Sequence, residues 1–258
     1  VDKPQIQYAV EEALACGIED FIVVTGKNKR SIEDHFDTAF QLECNLLERG
    51  KQEALDEIRA LNNLNMAYIR QGVPRGLGHA ILCARNFVRE EPFAVLLSDD
   101  VIDPDDNLLG RMVEYYHGNG APVLALMEVP PEDVSKYGIV RADPADGDGL
   151  FRIHDLVEKP PVDQAPSNLA IIGRYVLTPD IFPALEETPV GAGGEIQLTD
   201  GIRILLRRRQ IYGYLFRGNR YDAGDKLGYL KATVELALKN ETLRDPFRVY
   251  LQDLVGRL

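Results

Sequence analysis

Short apolar runs rich in β-branched residues alternate along this chain with stretches whose apolar side chains recur every three or four positions. That alternation constrains the fold more than any other feature. Ile6, Ala9, Val10, Ala13 and Leu14 share one face of a helix that Gly17 is placed to end in a left-handed turn. Phe21-Ile22-Val23-Val24 follows as a strand of the kind buried on both faces. The pattern returns with strands at 66–71, 93–100 and 122–127 and helices at 79–87 and 107–118. Strands alternating with helices make βαβ units, so a doubly wound α/β fold with a mostly parallel sheet is predicted, with ligands beyond the carboxyl ends of its strands. Residues 38–62 break the rhythm as a helical insertion carrying Leu46, Leu47, Leu55, Ile58 and Leu61. After residue 130 the spacing predicts strands at 138–142, 151–159 and 169–177, a mixed half of the sheet, and helices at 179–187, 198–209, 226–240 and 245–255. An α/β domain over 1–225 and a C-terminal helical extension over 226–258 follow.

Charge narrows the function. The 41 acidic against 29 basic side chains leave a net charge of −12, which repels nucleic acid and anionic lipid at long range. Small anions remain possible partners, because a few placed amides, a lysine and a divalent cation outweigh a diffuse field at contact distance. Cys16, Cys44 and Cys83 have neither disulfide nor zinc spacing. No apolar run approaches the roughly 18 residues of a membrane span, and VDKPQIQYAV lacks a signal-peptide pattern. A cytoplasmic protein is expected.

Five segments could carry chemistry. In 71-QGVPRGLGHA-80, glycines between a strand and a helix suit close approach to an anion, and the Gln71 amide can pair with a base edge; an ordinary βα turn is the plainer reading. In 98-SDDVID-103, Asp99 lies where a carboxylate could hold Mg²⁺ against a phosphate, whereas Asp103 and Asp105 read as helix caps. In 155-DLVEKP-160, Glu158 and Lys159 would point to opposite faces of an extended strand, one toward sugar hydroxyls and one toward a phosphate. An isolated Glu-Lys pair is more often a solvated surface feature. Glycines open into a helix at 191-GAGGEIQLTD-200, with Glu195 among them. In 221-YDAGDKLGYL-230, Asp222 could be a second metal ligand and Asp225 reads as a cap. No nucleophile stands beside a histidine, as suits nucleotidyl transfer, which needs positioning and charge neutralisation more than covalent chemistry.

These segments, together with SKYGIV, LVEKPP and SNLAIIGRYVL and in this order, resemble the bacterial UDP-glucose pyrophosphorylases, the UTP:glucose-1-phosphate uridylyltransferases of the sugar nucleotidyltransferase family. The resemblance covers essentially the whole chain. It implies a Rossmann-like three-layer α/β/α sandwich with a mixed sheet. It places Gln71 and Gly76 against uracil, Asp99 on Mg²⁺, and Gly138, Glu158, Ile171 and Gly173 around the sugar. Lys159 falls where the phosphate of glucose 1-phosphate is held, and Asp222 where related thymidylyltransferases use a second metal ligand. Homodimers or homotetramers are implied, with UTP and glucose 1-phosphate as substrates.

The family's G-x-G-T-R loop and its downstream lysine, with the first strand of the sheet, would precede Val1. Without that loop the chain as printed is expected to be impaired, since the leaving pyrophosphate would lack its amide cradle. Val1 in place of Met is read as a sign that more chain precedes it. Three other readings stay open: a thymidylyltransferase of the same family, a metal-dependent glycosyltransferase, and a non-catalytic nucleotide-sugar binding module.

Overall fold

The computed structural model describes residues 3–257; Val1 and Asp2, on which the expectation of an upstream segment rests, lie outside the described residues. The first half runs α1 (Gln5–Ala15), β1 (Asp20–Thr25), α2 (Arg30–Phe36), α3 (Phe40–Glu48), α4 (Gln52–Asn62), β2 (Asn65–Arg70), α5 (Leu77–Val88), β3 (Phe93–Leu96), β4 (Asp100–Ile102), α6 (Leu108–Asn119) and β5 (Val123–Glu128). The second half runs β6 (Gly138–Pro144), β7 (Leu150–Glu158), β8 (Leu169–Leu177), α7 (Ile181–Glu186), α8 (Leu198–Leu206), β9 (Tyr212–Leu215), β10 (Arg220–Asp222), α9 (Lys226–Lys239) and α10 (Arg244–Val255). The helical insertion divides into α3 and α4. Strands β4, β9 and β10 are too short for their sequence pattern to have marked them.

The main sheet has the order β3-β8-β5-β9-β7-β6, with β6 also touching β8 through Ile139 and Ala170. It is mixed, and the expectation of a mostly parallel sheet is corrected. Among the described residues β5–β9 is the one parallel pair in it, because β8 lies antiparallel between β3 and β5 and β7 antiparallel to both its neighbours. Strands β1 and β2 pair in parallel as a separate two-stranded sheet, in register from Asp20↔Asn65 to Thr25↔Arg70. The Phe21–Val24 run is accordingly half-buried rather than covered on both faces.

Period-two alternation builds the three layers. On β5, Leu124 and Leu126 face a core shared with α5, α7 and α8, while Val123 and Ala125 face a second core with α1 and α6. On β8, Ile171, Tyr175 and Leu177 take the first side and Ile172 and Val176 the second. Each fully buried Leu or Ile, such as Ile202 and Leu205 of α8, contributes about 1.5–3 kcal/mol. Helix α9 packs Ala232 and Leu236 against Val101 of β4. Helix α10 has no buried residue and lies against α9. No described helix is long and apolar enough to cross a membrane.

Candidate active site

The predicted strand at 93–100 stops at Leu96; Ser98 and Asp99 form a turn, and Asp100 opens β4. Strand β4 pairs antiparallel with β10, opposing Asp100 to Asp222. Two distant stretches of acidic sequence therefore meet. The Ala223 N–H donates to the Asp99 carbonyl at 2.8 Å. A Cβ placed on Gly224 would stand 3.1 Å from both Asp99 Oδ2 and Asp222 Oδ1, so the two carboxylates converge on space that only glycine leaves open. No group of three or more metal-ligating side chains occurs among the described residues. Two carboxylates fit Mg²⁺, which keeps several waters and takes its other ligands from substrate phosphates.

Asp100, next in sequence, is spent on structure. Its Oδ2 accepts the Gly173 N–H at 2.6 Å, and its Oδ1 pairs with the Arg220 guanidinium. Arg220 also reaches Asp222 Oδ2 at 3.4 Å and the Tyr137 hydroxyl at 3.2 Å. Burial works against the Arg220 charge, but Asp100 more than compensates and raises its pKa further. Asp99 is exposed and carries no such partner among the described residues. The capping roles expected for Asp103 and Asp105 are corrected: α6 has Asn107 at its N-cap with no side-chain capping bond, and both carboxylates pair instead with Lys239 of α9. Asp225 does cap, accepting the Leu227 and Gly228 N–H groups at 2.8 and 2.9 Å.

A cavity of about 290 Å³ joins these groups to Lys159, Ile171 and Gly173. Tyr137, Tyr175 and Arg220 complete its walls, with Lys136 at the rim. Lys159 is not in an extended strand as expected. It follows the end of β7 with φ +45°, donates its N–H to the Tyr137 carbonyl at 2.9 Å, and holds Nζ 3.7 Å from Glu158 Oε1. Glu158 opposes Gly138 across β6–β7 and accepts the Thr199 hydroxyl at 2.6 Å. A Cβ at Gly138 would meet Thr199 Oγ1 at 2.9 Å, Glu158 Oε2 at 3.2 Å and Ile171 Cδ1 at 3.4 Å. Burial above all, then the Glu158 and Asp100 charges, push the Tyr175 phenol well up, so it stays protonated.

Gln71 and Gly76 form a second cluster that does not line this cavity. Gln71 Nε2 donates to the Gly76 carbonyl at 3.1 Å and to His79 Nδ1 at 2.8 Å. Gly76 holds the N-cap of α5 at φ +87°, with space for a Cβ closed by Glu195 Cβ at 2.8 Å. Backbone bonds Ile196 N–H to Arg75 O (2.7 Å) and Gly78 N–H to Ile196 O (2.9 Å) fasten this loop to the segment that opens α8. Three residues on, Thr199 meets Glu158. The clusters are thus joined through 195–199, and Glu195 serves as a wall with its carboxylate turned to Gln197. Sequence reasoning missed Arg220, Tyr137, Thr199 and His79. Tyr137, Thr199 and His79 lie inside segments already singled out, and Arg220 stands two positions before Asp222 and so on its side of a strand.

Residues 1–239 match the nucleotidyl transferase family. The chain belongs to that family. Among curated nucleotidyl transferases, a UTP–glucose-1-phosphate uridylyltransferase of Bacillus subtilis (strain 168) is 49% identical over 100% of this chain and 88% of its own. One from Streptococcus pneumoniae serotype 4 is 48% identical over 98% of this chain and 86% of its own. A UDP-glucose pyrophosphorylase solved with UDP-glucose aligns with TM-score 0.84 at 45% identity, covering 93% of this chain and 89% of that one. A UTP-bound enzyme from Acinetobacter baumannii aligns at 0.89 and 40%, covering 98% and 89%.

Proposed function

We propose that the chain makes UDP-glucose and pyrophosphate from UTP and glucose 1-phosphate. The single observation that carries the site assignment is the shared cavity, which Asp99, Asp222 and Lys159 all line. A phosphate oxygen of the sugar phosphate bonds to the α-phosphorus of UTP while the bond to the β-phosphate oxygen breaks in line, releasing pyrophosphate. Lys159 holds the incoming phosphate and offsets its charge. Glu158, fixed by Thr199, takes sugar hydroxyls beside Ile171, Gly173 and the bare Gly138 backbone. Asp99 and Asp222 would hold Mg²⁺, which supplies charge neutralisation at phosphate oxygens. Gln71 and Gly76 take the uracil. The protein works in the cytoplasm.

In the full-length protein, Lys159→Ala should raise the KM for glucose 1-phosphate and lower kcat while the KM for UTP holds. An unchanged sugar-phosphate KM would remove Lys159 from this role. Exposed Leu227, Leu230, Val249, Tyr250 and Val255 on α9 and α10 support a homodimer or homotetramer, which sedimentation would measure.

A further inference from the structure

The Gln71 side chain is half-buried just past the carboxyl end of β2, and two acceptors, the Gly76 carbonyl and His79 Nδ1, together fix which way its amide faces. The carbonyl favours the amide nitrogen over the oxygen on its side. The second amide proton then goes to His79 Nδ1, 2.8 Å away, which must be the unprotonated ring nitrogen. Both donors of Gln71 are consumed, and only Oε1 remains to meet a ligand. His79 itself is held firmly. It sits in the first turn of α5, and the neighbouring Gly78 lets that turn press so close to Ile196 that a Cβ would come within 2.7 Å of the Ile196 carbonyl.

We infer that His79 is a specificity-positioning residue: by accepting from Gln71 it keeps the amide oxygen facing the nucleobase and so selects a pyrimidine that carries a proton on N3. Uracil presents an N3–H donor to that oxygen. Cytosine presents an unprotonated N3, an acceptor against an acceptor. The inference rests on the reading that places the base on Gln71. With the His79 acceptor removed, the amide loses one of the two bonds that fix it and can turn its nitrogen outward, which admits cytosine.

The test is kcat/KM for UTP and for CTP in the full-length protein, with Gln71→Ala, His79→Ala and His79→Gln. The parent should strongly favour UTP, and Gln71→Ala should lose most of that preference. His79→Ala should reduce the UTP/CTP ratio about tenfold, the worth of one hydrogen bond, with the KM for glucose 1-phosphate unchanged. His79→Gln, whose side-chain oxygen can accept from Gln71, should recover much of the ratio. If Gln71→Ala collapses the ratio and His79→Ala leaves it at the parent value, the His79 inference is overturned while the base site stands. If neither variant moves the ratio, the placement of the base on Gln71 fails as well. A general loss of turnover with an unaltered ratio in His79→Ala would show a structural residue only and also overturn the inference.

Discussion

Lys159 pairs its proposed role with backbone strain. A side chain at φ +45° costs roughly 1–2 kcal/mol in the left-handed region, and such costs collect at functional positions. Glycine adopts that conformation freely, so Lys159→Gly should melt at or above the parent temperature while UDP-glucose synthesis falls tenfold or more, about the worth of one charge-assisted bond. Calorimetry beside a pyrophosphate-release assay separates the two effects; a lowered melting temperature would mean that the conformation is unstrained. At this scale Asp99 and Asp100 show what sequence leaves open. They are adjacent and chemically identical and both line the cavity, yet one is buried and bonded to Gly173 and Arg220 while the other is exposed.

Between elements, α9 is tied to β4 and the loop after it by charge as well as by apolar packing. Burial would push the Asp103 carboxyl up, but hydrogen bonds from Lys239 and the Asp105 amide, with the Lys239 charge, hold it below the ordinary carboxylate value. A depressed folded-state pKa stabilises the fold above the unfolded value, near 3.9, and that stabilisation disappears as pH falls through the lower folded value. Lys239→Met should therefore lower the urea midpoint at pH 7, with the gap to the parent closing below about pH 4. A gap independent of pH would show that only packing was lost. The helices of this chain were largely readable because apolar periodicity is a local property. The short β4 and β10 were not, since three residues carry no periodicity and their pairing joins segments more than a hundred positions apart.

Across the whole molecule, Arg174 links the helical layer to the site. Its side chain is 1% exposed, and the guanidinium pairs with Glu12 of α1 at 2.7 Å and donates to the Leu97 and Gly173 carbonyls at 3.1 Å each. Removing one partner of such a pair strands a buried charge, so Glu12→Ala should cost about 3–5 kcal/mol in urea unfolding. Glu12→Leu combined with Arg174→Met should cost less than the single change, and an equal or larger loss would contradict this account. The sequence alone determined the α/β class, the helices other than the short α2, the βα turns at Gln71–Gly76 and Asp222–Asp225, and the family motifs, all of which reside in local pattern and spacing. Only the tertiary structure decided the antiparallel placing of β8, the meeting of Asp99 with Asp222, and which neighbouring carboxylate is buried. Those outcomes depend on which strands pair and in what register, and register is settled by contacts between segments far apart in the chain.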